Sequence, residues 1–185
     1  MRTPQSTPPP KHLAGSLLLA HPAMRDPNFR RTVVLVSMHG DEGAMGVVLN
    51  RPLGKRLGEL NGAFAYGPLA EVAVFAGGPV QLEQLIMVGW QRRDDGFRLH
   101  FGVEPDLATE LVGQENTVLR AFAGFSGWSS GQLENELKEN TWIVRPMPPD
   151  LMDADVGVAQ WRKLLGELSP EWQLLANEPE DPTAN

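Results

Sequence analysis

Phe122-Ala123-Gly124-Phe125-Ser126-Gly127-Trp128-Ser129-Ser130-Gly131-Gln132-Leu133-Glu134-Asn135-Glu136-Leu137 is the stretch on which the rest of the chain is read. The residues leading into it, Thr117-Val118-Leu119-Arg120-Ala121-Phe122, have the β-branched and aromatic content of a strand. Gly124, Gly127 and Gly131 then tolerate positive φ or close backbone approach, so the sequence predicts a loop that holds Trp128 outward. Ser129 followed three residues later by Gln132 has the spelling of a capping box. Leu133 and Leu137 then share one face of a helix, with Glu134 and Lys138 paired on its solvated side. The unit is strand, glycine loop, helix. Its helix start offers free N–H groups and the positive end of the macrodipole, which suit an anion. The same groups are satisfied internally if Ser129 and Gln132 cap them.

Upstream, Gly15 to Ala20 reads as a short strand and Asp26-Pro27-Asn28 as a turn. Thr32 to Met38 is apolar on both faces and belongs in the middle of a sheet. His39-Gly40-Asp41-Glu42-Gly43 joins it in a hairpin to Ala44–Leu49, and Asn50-Arg51-Pro52 ends that pair. Lys55 to Leu60 suggests a helical turn. Val72–Ala76 and Leu85–Trp90 are buried strands, with Gly77-Gly78-Pro79 between them. Phe97, Leu99 and Phe101 alternate with Arg98 and His100, the pattern of a half-exposed strand. Pro105 to Val112 is a helix closed by Gly113. Downstream come a strand at Thr141–Arg145, a helix from an Asp155 cap to about Leu168, and a short turn from Ser169-Pro170 that carries Trp172. The pattern predicts one domain over 12–176, a disordered proline-rich tail over 1–11 and a loose acidic tail over 177–185.

The 185 residues carry a net charge of −7. An acidic body repels phosphate backbones, which argues against broad DNA binding. There is no cysteine, so disulfides, thiolate metal sites and thiol chemistry are excluded. No apolar run reaches the length of a membrane span, and the expected setting is the cytoplasm. No cofactor fingerprint is present, and no cofactor is expected.

Three blocks carry a resemblance. The first runs from Gly15 through His21-Pro22, Asp26-Pro27-Asn28 and Arg30-Arg31-Thr32-Val33 to His39, Glu42-Gly43-Ala44-Met45-Gly46 and Asn50-Arg51-Pro52. The second is Gly77-Gly78-Pro79-Val80. The third is Gly124 with Ser126-Gly127-Trp128, Gly131-Gln132-Leu133-Glu134, Glu136 and Trp142. Over residues 13–168 the chain resembles the YqgE/AlgH family of bacterial proteins. The resemblance implies an α+β fold: a single domain whose bent, mixed or antiparallel, partly barrel-like sheet is flanked by helices. It brings no catalytic residue set, and it brings a label of transcriptional regulator, acting through a protein partner or DNA. Where the family usually shows a Leu-His pair on the strand after the second block, Leu85–Trp90 here holds no histidine.

Three sites follow. Gly127-Trp128-Ser129-Ser130-Gly131 spells Gly-x-Ser-x-Gly, a hydrolase nucleophile elbow with Ser129 as nucleophile. All four histidines precede Ser129, however, whereas that fold needs its base afterwards. A capping serine explains the residue equally. His39 and Asp41 are weak metal-ligand candidates, set against a plain polar turn. The binding reading gathers Asn50, Gly77, Gly78, Gly127, Trp128, Ser129, Gly131 and Gln132 around one cleft that would take a small polar ligand or an unknown protein. No residue is assigned a catalytic role. The function expected is therefore a non-catalytic binding or regulatory domain, with a transcriptional regulator acting through a protein partner or DNA as the alternative and a hydrolase using Ser129 third.

Overall fold

The computed structural model describes residues 12–152 and 157–179, and they fold around strand β8, Thr117–Ser129. The other strands are β1 Ser16–Ala20, β2 Val33–Gly40, β3 Gly43–Val48, β4 Pro52–Arg56, β5 Ala73–Ala76, β6 Val80–Arg93, β7 Gly96–Phe101 and β9 Trp142–Pro146. They form one mixed nine-stranded sheet in the order β4-β5-β8-β3-β2-β1-β9, with β6 pairing both β7 and β8. The sheet does not close into a barrel. Among the described residues five α-helices flank it: α1 Leu57–Leu60, α2 Pro105–Val112, α3 Gln132–Lys138, α4 Val158–Gly166 and α5 Pro170–Ala176. The chain is thus α+β.

β8 is long because its two halves have different neighbours. Residues 120–123 pair in parallel with β5 on one side. Residues 117–123, and Phe125 after a register shift, pair antiparallel with β6 on the other. Ser126–Ser129 then pair antiparallel with β3. The expected glycine loop is therefore ladder, and the reason lies in what crosses it. A Cβ on Gly77 would stand 2.3 Å from the Gly124 carbonyl oxygen, and one on Gly78 2.2 Å from that of Phe125. The glycines let two backbones touch where β8 changes partners.

The hairpin of β2 and β3 lies where the sequence puts it, as do α2 and β7. β4 was not expected at Pro52, yet it survives as an exposed strand on the sheet edge, where proline's missing donor costs no ladder bond. Ser169-Pro170 starts a true helix: the Ser169 hydroxyl accepts from Trp172 N–H at 3.3 Å. The Asp155 cap and the 1–11 tail lie outside the described residues, as do residues 180–185 of the acidic one.

Side-chain alternation sorts the interior into three clusters. One, with Leu17, Leu35, Phe75, Trp90 and Phe122, is covered by Trp161, Leu164 and Leu165 of α4. A second, with Leu18, Val34 and Val48, holds Trp128, Leu133 and Trp142. A third, with Val74, Met87 and Leu119, is closed by Ala108 and Leu111 of α2.

Candidate functional site

Trp128 does not stand outward. Its side chain is 6% exposed, because alternation along β8 turns it into the second cluster. Its ring stacks on Phe29 at 6.3 Å and meets Trp142 edge-on at 6.0 Å. Both indoles donate to one oxygen: Trp128 Nε1 reaches Glu136 Oε2 at 2.9 Å and Trp142 Nε1 reaches it at 2.7 Å. Gln132 Nε2 donates to the other oxygen at 3.0 Å. Two buried donors from two strands thereby fasten α3 to the sheet.

Half of the expected capping box forms. The Gln132 side chain accepts from Ser129 N–H at 3.0 Å, but the helix begins two residues later, with Gly131 at its N-cap in the left-handed region. The Ser129 hydroxyl donates to the same Gln132 oxygen at 3.3 Å. Ser130 Oγ donates to the Asp41 carbonyl at 2.6 Å, tying this loop to the β2–β3 hairpin. Among the described residues no histidine bonds Ser129; its hydroxyl is engaged by Gln132.

His39 is committed at both nitrogens. Nδ1 accepts from Leu13 N–H at 3.1 Å, which leaves the hydrogen on Nε2 to donate to Glu134 Oε1 at 2.7 Å. The Glu134 carboxyl is held below its usual range by its own backbone N–H and then by this ring. Among the described residues no group of three His, Asp or Glu could hold a metal ion. The His39–Asp41 idea therefore gathers no ligand set.

Asn50 is buried and fully used. Its Oδ1 accepts from Val33 N–H, and its Nδ2 donates to the carbonyls of Arg31 and Gly157, each at 2.9 Å. The Gly77 carbonyl accepts from Val48 N–H at 2.8 Å and from Ser126 Oγ at 3.1 Å. Gly127 pairs with Met45 in the ladder. The polar groups of Asn50, Gly77, Ser129 and Gln132 thus serve internal bonds, while Gly78 is a place of close backbone contact and Gly127 a ladder position with room beside it.

The bonds of Asn50 and Arg51 point to a different place. Arg51 donates to the carbonyls of Asn28 at 2.6 Å, Pro27 at 3.1 Å and Arg30 at 3.1 Å. With Asn50 on the Arg31 carbonyl, two adjacent residues fix the turn over 26–31 from inside. Arg31 takes φ 56°, an uncommon value for a side-chain-bearing residue. That turn edges a wide cleft of about 840 Å³ lined by Pro22, Met24, Arg25, Arg30, Arg31, Trp161, Leu175 and Glu178, among others. The Arg31 guanidinium lies 5.8 Å from the Trp161 ring and donates to the Glu178 carbonyl at 3.2 Å. Among the described residues, three guanidinium groups and one carboxylate line the cleft. In the sequence these arginines are only an isolated pair and a single residue. The signal that could have found them is the strict Asp26-Pro27-Asn28 turn immediately before Arg30-Arg31.

Among the described residues no helix is long and apolar enough to cross a membrane.

Comparison with known proteins gives a consistent result. A family model described as DUF179, AlgH-like, matches residues 17–173. A UPF0301 protein of Streptomyces coelicolor is 36% identical over 187 residues, covering 94% of this chain and 95% of its own. One from Xanthomonas euvesicatoria is 35% identical, covering 86% and 90%. Among solved structures, AlgH from Pseudomonas aeruginosa superposes with a TM-score of 0.66 at 26% identity, covering 97% of this chain and all of that one. Protein DIP2367 of Corynebacterium diphtheriae gives 0.68 at 23% identity, a likeness of fold.

Proposed function

Since the chain belongs to the AlgH-like family, whose function is uncharacterised, we propose that it is a non-catalytic binding domain of regulatory type whose partner presents carboxylates to the arginine cleft. The observation that carries this reading is the cleft itself: Arg25, Arg30 and Arg31 around a hollow of about 840 Å³, with the Trp161 ring among its walls. Arginine forks suit planar carboxylates, and an aromatic wall gives a partner apolar area to cover. The serine of the Gly-x-Ser-x-Gly spelling bonds Gln132 and the His39 ring bonds Leu13 and Glu134, which leaves the hydrolase without a nucleophile–base pair. An effect on transcription would run through a protein, because the net charge of −7 opposes a phosphate backbone.

The test uses a fluorescent glutamate-rich peptide and the full chain. Binding measured by anisotropy should weaken with salt and drop about tenfold or more in the Arg25→Glu, Arg30→Glu double variant. Equal affinity in that variant refutes the cleft. Labelling of Ser129 by a serine-directed fluorophosphonate would return the protein to the enzymes.

A further inference from the structure

The long strand β6 keeps its outer neighbour for only part of its length. Pairing with β7 runs from Arg93 opposite Gly96 to Val88 opposite Phe101 and stops there. Gly102 then takes φ 67°, which turns the chain out of the ladder. Val103 N–H still donates to the Met87 carbonyl at 2.9 Å. Beyond that bond, no strand among the described residues pairs with the outer edge of residues 80–86, since β8 takes only the inner one.

The bonds already made show which way the backbone groups point. Arg92 N–H donates to the Asn116 carbonyl at the start of β8, whereas the Met87 carbonyl accepts on the β7 side. Alternation along the strand therefore turns the N–H and C=O of Leu85 outward, with those of Met87.

A cleft of about 450 Å³ follows this edge. Residues 84–87 all line it on one side and residues 102–105 on the other. Side chains on a strand alternate between faces, so a cleft on one face meets every second residue. Four in a row place this cleft against the backbone itself, in the fork where β7 leaves β6. Leu57 and Phe64 also line it, and they pack with Met87 and Val103 in the third cluster. Glu104 lines the cleft and Glu83 adjoins it on β6; both are exposed, and among the described residues no ion pair engages either.

Outward N–H and C=O groups on a sheet edge are matched by another extended backbone. We propose that this fork docks an extended segment of a partner protein, which adds to β6 as a strand. The segment sets an apolar side chain against Leu57 and Phe64 and carries lysine or arginine at its flanks to meet Glu83 and Glu104. Those carboxylates select the charge of the partner. They also weigh against a second copy of this chain, which would bring another net charge of −7 and the same two carboxylates to one edge. The fork is independent of the arginine cleft and asks for the opposite charge.

The test uses the full chain and a fluorescent heptapeptide that alternates valine and threonine between terminal lysines. Anisotropy should show saturable binding. The same peptide with alternate backbone nitrogens methylated keeps its side chains but cannot complete the ladder, and should bind about tenfold or more weakly. Glutamates in place of its lysines should do the same. The Glu83→Lys, Glu104→Lys double variant should lose about tenfold or more in affinity for the lysine peptide, whereas the Arg25→Glu, Arg30→Glu variant should bind it as the parent does, so the two surfaces fail separately. Amide exchange locates the site: Leu85 N–H should exchange about tenfold or more slowly once the peptide is bound. No binding of the lysine peptide at millimolar concentration overturns the proposal. Equal binding of the methylated peptide overturns strand addition, and an unprotected Leu85 at saturation overturns the site, as does unchanged affinity in the double lysine variant. A chain that sediments as a dimer and dissociates on Leu85→Pro gives the edge to a second copy and overturns the partner segment. Should the double lysine variant fail to fold, the glutamate peptide and the exchange of Leu85 decide.

Discussion

Replacing Glu136 by alanine should be among the most damaging single changes that can be made to α3. Its Oε2 accepts from Trp128 Nε1 at 2.9 Å and Trp142 Nε1 at 2.7 Å, and those side chains are 6% and 4% exposed. Removing the carboxylate strands two buried donors, each costing about 1–3 kcal/mol. The sum is about 4 kcal/mol, a large part of the 5–15 kcal/mol by which ordinary domains are stable. Glu136→Gln keeps an acceptor in place but loses the charge that strengthens both bonds, so its cost should be about half as large. Urea unfolding followed by tryptophan emission measures both variants, with near-ultraviolet circular dichroism reporting on the indole pair. The midpoint should fall in the order parent, Gln, Ala at an unchanged slope. If Glu136→Ala costs less than about 1 kcal/mol, or if the two variants unfold together, the carboxylate is not what secures the helix.

Asn50→Ala should destabilise by about 3 kcal/mol or more, since one acceptor bond and two donor bonds are lost inside the protein. In the same variant, protease nicking at the 26–31 turn should increase, and unchanged susceptibility would show that Arg51 alone holds the turn. Gly77→Ala should prevent soluble expression, because its Cβ would meet the Gly124 carbonyl oxygen at 2.3 Å, whereas Gly96→Ser meets no atom within 4 Å and pays only for its positive φ. A chain that expresses normally with alanine at 77 contradicts the strand contact. The Glu134 carboxyl has a lowered folded-state value, so its contribution is present above the unfolded value of 4.5 and fades as pH falls through the folded one. Glu134→Gln should therefore cost stability at neutral pH, and the gap from the parent should close in acid; a gap independent of pH removes the His39 bond as its source.

Much of the fold was legible. The apolar run at Thr32–Met38, the polar turn after it and the alternation of Phe97, Leu99 and Phe101 are local signals, and the structure follows them. Residues 123–129 misled because glycine has two uses. It permits a loop, and it permits two backbones to touch; the choice depends on Gly77 and Gly78, almost fifty residues away in the chain. The orientation of Trp128 was misread for the same reason, since a side chain's face is defined only once its segment is a strand.

By itself the sequence determined the class of the molecule: no cysteine, an acidic balance, α+β patterning and the blocks shared with the AlgH-like family. These are properties of composition and of neighbours along the chain. Tertiary structure alone decided that Glu136 joins two indoles, that Asn50 and Arg51 brace an arginine turn, and that β6 keeps an open edge where β7 leaves it. Each of those depends on which strand lies beside which, and strand order is set by packing over the whole chain.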